Sequence, residues 1–263
     1  MCRLIMMNKN GEKEIEKNYG IEKFLEYLEN SMGGHGNGVS LLKDGKVIFL
    51  KKGTNLSIKE ISRIIRKRKY DWCIFHTRFA SIGSKSDKNC HPFIIGDEVM
   101  AMNGTEMCES LLTNAKDITD TEAILNVKEK FNLEIPALMN LNSIFVGFSK
   151  GKPYVVANNA YNIKLMYKKR DNAIVFASEF PKKFQRNIYE IKEKFIWFGE
   201  NIDISKFRKY RKTKQLKYRQ MNFNEFFPLY NEENYEDLYD YYYQEEYEKL
   251  KRKNKEEVIR NAT

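Results

Sequence analysis

No run of about eighteen or more uncharged apolar residues occurs in this sequence, so no transmembrane helix is expected and no membrane enters the reading. The start lacks the basic, then apolar, then small-residue order of a secretory signal. Cysteine stops at four (Cys2, Cys73, Cys90, Cys108) and histidine at three, without paired metal-ligand spacing. That scarcity argues against a metal centre or a disulfide framework and for a reducing, cytoplasmic setting. No Gly-rich phosphate loop is present, so ATP use is not expected and no cofactor is called for. What is present, 263 residues with 42% hydrophobic and 13% aromatic content, suits one substantial core with an appendage.

The net charge of +10 would suggest a nucleic-acid partner if it were spread over the surface. It is not. Residues 206–219 carry eight Lys or Arg and no acid, and 220–263 are acidic and rich in tyrosine. The basic segment reads first as a solvated linker pairing with its acidic neighbour. Tyr210 and Tyr218 within it leave RNA binding by phosphate contact and stacking as the other reading. Residues 232–260 suit a helix with Tyr239, Tyr243, Tyr247 and Leu250 on one stripe. Such a stripe packs on the domain or on a second copy, so self-association through this helix is possible.

Along the chain, a short apolar strand covers 2–7. Ile21, Phe24, Leu25 and Leu28 space an amphipathic helix over 21–31. A glycine-rich loop, 33–38, leads to a hairpin whose Asp44-Gly45 suits a tight turn with positive φ. Residues 57–69 predict a helix with Ser57 as N-cap and Glu60 three residues on. Its basic end complements the negative end of the helix dipole. A buried strand, WCIFHTRF, precedes a polar loop and a proline turn; a short strand over 98–102 ends at Asn103-Gly104. A helix follows over 121–131. Four strands then alternate with turns between 144 and 179. This order predicts an α+β protein of stacked antiparallel sheets.

The chemistry starts at Cys2. Once Met1 is removed, thiol and free α-amine share one residue. An α-amine with a pKa of about 7.7–8.0 is partly unprotonated near neutrality and can take a proton from the thiol. Further on stand HTRFASIG at 76–83, NCHPF at 89–93, Asn103-Gly104, DTEAI at 120–124 and FASE at 176–179. In this order, behind Cys2-Arg3, these pieces resemble the class II glutamine amidotransferases, N-terminal-nucleophile hydrolases, over about residues 2–200.

The resemblance implies a four-layer α/β/β/α sandwich of two antiparallel sheets over 2–205; the composition of 206–263 makes that stretch a basic linker and helical extension. It implies that L-glutamine is hydrolysed to glutamate and ammonia through a γ-glutamyl thioester on Cys2, with ammonia passed to a separate synthase subunit. Arg78 would clamp the substrate carboxylate, whose shape its planar donor fork matches. Asp120 would accept from the substrate ammonium, Asn103 and Gly104 would form the oxyanion hole, and Ser81 and Gly83 would line the glutamine loop. Met102 and Ile82 stand where many members of the family carry histidine.

Other readings of the same residues stay open. Arg78 also suits a structural ion pair, Asp120 a helix N-cap, and Asn103-Gly104 an ordinary turn. His76 and His91 read as structural, Cys73 as core. The other function considered is a catalytically idle protein of the same fold, an interaction or nucleic-acid-binding module acting through its tail.

Overall fold

The computed structural model describes residues 2–106, 118–157, 163–191, 194–199 and 202–209. The proposed tail helix and Cys108 lie outside the described residues. Two sheets carry the architecture. The larger contains β1 (Arg3–Asn8), β2 (Asn37–Lys43), β3 (Lys46–Gly53), β4 (Trp72–Thr77), β9 (Lys164–Lys168), β10 (Ala173–Ala177), β11 (Ile188–Ile191) and β13 (Phe207–Lys209), in the order β13-β11-β9-β10-β1-β4-β2-β3. The smaller runs β12-β8-β7-β6-β5, from β5 (Phe93–Ile95), β6 (Glu98–Asn103), β7 (Ile144–Ser149), β8 (Lys152–Ala157) and β12 (Phe195–Phe198). All described pairings are antiparallel.

Strand alternation sorts the side chains into layers. In β1, Ile5 and Met7 join Val39, Phe75 and Val175 on one face. There α1 (Lys9–Asn18), α2 (Ile21–Met32) and α3 (Ile58–Lys67) cover them with Ile15, Phe24, Leu28 and Ile61. Leu4 and Met6 point the other way and meet Val99, Val146, Val155 and Trp197 of the smaller sheet. Met100, Phe145 and Tyr154 face outward beneath α4 (Asp120–Lys130) and a 3-10 turn, Ile135–Asn140. Three apolar seams thus separate four layers, α/β/β/α. Each fully buried Leu, Ile, Phe or Met contributes about 1.5–3 kcal/mol from leaving water.

Several local expectations hold. Ile21, Phe24, Leu25 and Leu28 are the buried face of α2. Asp44 and Gly45 have φ of 48° and 73°, the turn conformation that joins β2 to β3. Ser57 caps α3 by accepting from the Glu60 N–H. At α4 the cap is Thr119, whose hydroxyl accepts from the Glu122 N–H, so Asp120 is the first helical residue and not the N-cap. The compact unit runs Met1–Arg211, and β13 at 207–209 pairs with β11 inside the large sheet. No described helix is long and apolar enough to cross a membrane.

Candidate active site

Register places five chain segments at one end of the sandwich. Arg3 at the start of β1 lies opposite Thr77 at the end of β4, and Asn37 at the start of β2 also pairs with Thr77. Just past the end of β10, the Ser178 N–H donates to the Leu4 carbonyl, while β6 ends in Asn103. Cys2 precedes β1 at this rim and is 7% exposed.

The sulfur sits against main chain. The Phe79 N–H donates to Cys2 Sγ at 3.3 Å, and the thiol points back to the Phe79 carbonyl at 3.5 Å. Burial pushes the thiol pKa up from its ordinary value; the Phe79 hydrogen bond, the chain's amino terminus and Arg78 oppose that rise. The protonated thiol is therefore the resting form, and a base is needed to activate it. Arg3 fixes the adjoining main chain: its guanidinium donates to the Cys2 carbonyl at 3.3 Å and to Ser31 Oγ at 3.0 Å, and lies 3.6 Å from Glu179.

Cys2, Arg78, Ser81, Gly104 and Asp120 line one cavity together with Phe79, Ile82, His91, Met102 and Thr119. Its volume is about 10 Å³, room for about one water molecule. Arg78 is buried, and its guanidinium donates to the carbonyls of Ser84 at 2.6 Å, Ile82 at 2.7 Å and Gly83 at 3.1 Å. It thus folds the 82–84 segment around its own charge. Asp120 accepts from the Glu106 N–H at 2.9 Å and from the Thr121 N–H at 2.9 Å, which fixes its carboxylate at the positive end of α4.

Two expected residues stand outside the cavity wall. Asn103 is behind it, donating from Nδ2 to Ser178 Oγ at 3.3 Å, with Oδ1 buried and without a partner among the described residues. Gly83 gives its carbonyl to Arg78 and takes a φ of 76°. Ser81 Oγ pairs with Thr105 Oγ1 at 3.1 Å. At Gly104, with φ of 150°, a Cβ would collide with Ser143 Oγ, so only glycine fits. Met102 and Ile82 give this cavity apolar walls.

His76 and His91 are buried with ring centroids 4.1 Å apart. His76 Nε2 bonds the Met102 carbonyl at 3.0 Å and His91 Nε2 the Thr121 hydroxyl at 2.6 Å, so both tie β4 and the 89–93 turn to the smaller sheet and α4. No group of three or more metal-ligating side chains is found among the described residues. Cys2, Cys73 and Cys90 are all free thiols.

The sequence reading missed Ser178 as a site residue. Its hydroxyl accepts from the Leu4 N–H at 3.0 Å as well as from Asn103, linking the strand behind Cys2 to the amide of Asn103. FASE carried a signal for the fold but none for this bridge. Phe79 acts through its peptide group, which no side-chain pattern reports.

No family model matches the sequence, and no curated protein does. Among solved structures, the chain is similar to glutamine phosphoribosylpyrophosphate amidotransferase from B. subtilis, described as complexed with ADP and GMP. Identity is 17% and the TM-score 0.56, over 80% of this chain and 49% of that one. An allosteric regulatory enzyme of purine biosynthesis matches with 18% identity and a TM-score of 0.56, again over 80% and 49%. A glutamine aminotransferase class-II domain protein from Silicibacter pomeroyi aligns at 13% identity and a TM-score of 0.45, over 75% and 94%. The chain spans about half the length of the first two. What is shared is the fold, a four-layer sandwich built on two antiparallel sheets.

Proposed function

We propose that this chain hydrolyses L-glutamine to glutamate and ammonia, with Cys2 as nucleophile. The observation that carries this reading is the convergence of a buried thiol, a buried arginine, a fixed carboxylate and Gly104 on one cavity. Glutamine presents an anion, a cation and a neutral carboxamide, and these groups match them one by one. After Met1 is removed, the Cys2 α-amine takes the thiol proton and the sulfur attacks the carboxamide carbon. A C–S bond forms, and the oxyanion is met by the Gly104 N–H and, once the cavity has opened to it, by the second N–H of the Asn103 amide. Collapse breaks the C–N bond, ammonia leaves with the proton from the α-amine, and a γ-glutamyl thioester remains. Water then releases glutamate and regenerates the thiol.

Admission of glutamine requires room that a cavity of about 10 Å³ does not give. The 79–84 segment must move outward, and Arg78 must exchange carbonyl partners for the substrate carboxylate. Asp120 keeps its main-chain bonds and accepts from the substrate ammonium. Ammonia is passed to a separate synthase subunit in the cytoplasm.

The narrowness of the cavity favours a second reading, a catalytically idle protein of the same fold that works through its tail. Glutamate release by chain whose mature N-terminus, checked by mass spectrometry, is Cys2 decides between them. We expect turnover that falls by at least about 10³-fold in Cys2→Ala, the scale of losing a nucleophile. Undiminished release by that variant removes Cys2 from the chemistry. No release by the processed parent chain leaves the idle reading.

A further inference from the structure

The glycine-rich loop 33–38 carries His35, and four contacts tie this loop to the segment that grips Cys2. The His35 main-chain N–H donates to the Arg78 carbonyl at 3.0 Å, and the Arg78 N–H donates to the Gly36 carbonyl at 2.8 Å. The Ala80 N–H donates to His35 Nδ1 at 2.9 Å. The imidazole stacks on the Phe79 ring with centroids 4.8 Å apart and planes 25° from parallel. Residues 78 and 80 are therefore held by hydrogen bonds on either side of Phe79, and Phe79 supplies the peptide group that holds the sulfur at 3.3 Å.

We propose that His35 is a positioning residue for the nucleophile: by accepting from Ala80 through Nδ1 it fixes the Phe79 peptide against the Cys2 sulfur. This rests on Cys2 being the nucleophile. An imidazole that only stacked on the Phe79 ring would need no acceptor atom aimed at the Ala80 N–H. Because Nδ1 accepts, the ring is the neutral tautomer with its proton on Nε2. Burial, and then the charged groups that face it, Lys85, Arg78 and the amino terminus, all cationic, hold its pKa below the ordinary value. The Cys90 sulfur lies against Gly36, the next residue of the loop.

The test uses the full chain with mature Cys2 and reads the thiol pKa from the pH dependence of iodoacetamide alkylation at Cys2, located by peptide mass. A midpoint is independent of how accessible the sulfur becomes. His35→Phe keeps the stacked ring and removes the acceptor. We expect the thiol midpoint to rise by about one pH unit, the effect of losing a hydrogen bond to the thiolate, and kcat for glutamate release to fall about tenfold with little change in KM. His35→Asn carries an oxygen one bond beyond Cγ, as Nδ1 is, and should restore both to the parent values. A His35→Phe midpoint equal to the parent's, or a His35→Asn midpoint that moves with it, overturns the proposal. Should His35→Phe not fold, the parent chain still answers: a long-range proton–nitrogen spectrum showing the proton on Nδ1 at neutral pH also overturns it. If the parent releases no glutamate while the midpoints behave as expected, the hydrolytic reading fails and the clamp stands.

Discussion

At the scale of single residues, the site depends on groups that hold other groups. Asn103 is positioned by Ser178, whose hydroxyl also bonds both main-chain groups of Leu4, two residues beyond the nucleophile. Removing the Asn103 amide should cost about 10²–10³ in kcat, the usual effect of one oxyanion donor. Ser178→Ala leaves that amide in place but unanchored, and we expect about tenfold in kcat with KM nearly unchanged, read from glutamate release at saturating glutamine. Parent-like kcat in Ser178→Ala would mean that the amide orients itself. Sequence alone could bring Asn103 and Asp120 to notice, because each stands beside a turn glycine or a helix start that gives it context. It could not bring Ser178, whose role exists only because β10 lies beside β1, or the Phe79 peptide, since every residue but proline has an N–H. The arginine shows a different limit. Its charge was legible, but its three carbonyl partners in 82–84 follow from a loop conformation that no spacing encodes.

At the scale of elements, strong periodicity was readable and weak periodicity was not. The buried face of α2 and the Asp44-Gly45 turn are written in local residue types. Helix α1 was invisible because Ile15 is its one buried hydrophobic side chain and Gly11 lies inside it. The glycine is there because a Cβ would run into the Ile174 carbonyl and Val175 across the interface with β10. Asn8 caps this helix by accepting from the Gly11 N–H at 2.8 Å. Strands β11 to β13 are too short to show alternation. Helix α4, which presents Asp120, is bound to its sheet by a buried pair, Lys128 Nζ to Glu98 Oε2 at 2.9 Å, with Ser149 donating to the second carboxylate oxygen at 2.6 Å. Lys128→Met strips Glu98 of its counter-charge in an apolar seam, and we expect a loss of about 3–5 kcal/mol in urea unfolding. Adding Glu98→Gln should recover most of it, because the stranded charge is then gone. A single variant as stable as the parent would show that water reaches Glu98.

At the scale of the whole molecule, acid should weaken this fold first through two buried histidines. His76 and His91 sit side by side where the large sheet meets the smaller one. Burial pushes the His76 pKa down to about 3, and burial, then the His76 neighbour, pushes His91 well below the usual histidine value. Both are therefore neutral when folded, while the unfolded chain protonates them near about 6.5. The sign follows from proton counting. Below about 6.5 the unfolded state binds protons that the folded state cannot, so stability is complete above that pH and falls as pH drops toward about 3. Each histidine can remove up to about 1.4 kcal/mol per pH unit across that window. Exposed carboxylates such as Asp87 and Asp203 act lower, because hydrogen bonds hold their pKa values below the ordinary carboxylate range. The interval from about pH 6.5 to 5 thus reports mainly the buried pair, with His35, whose pKa burial also lowers, adding in the same direction. Urea midpoints should decline steadily through it, and His91→Gln, which keeps a polar group near Thr121 without a titrating ring, should flatten the decline. A midpoint in the parent that stays level from about pH 7 to 5 would mean that the pair accepts a proton without opening the seam.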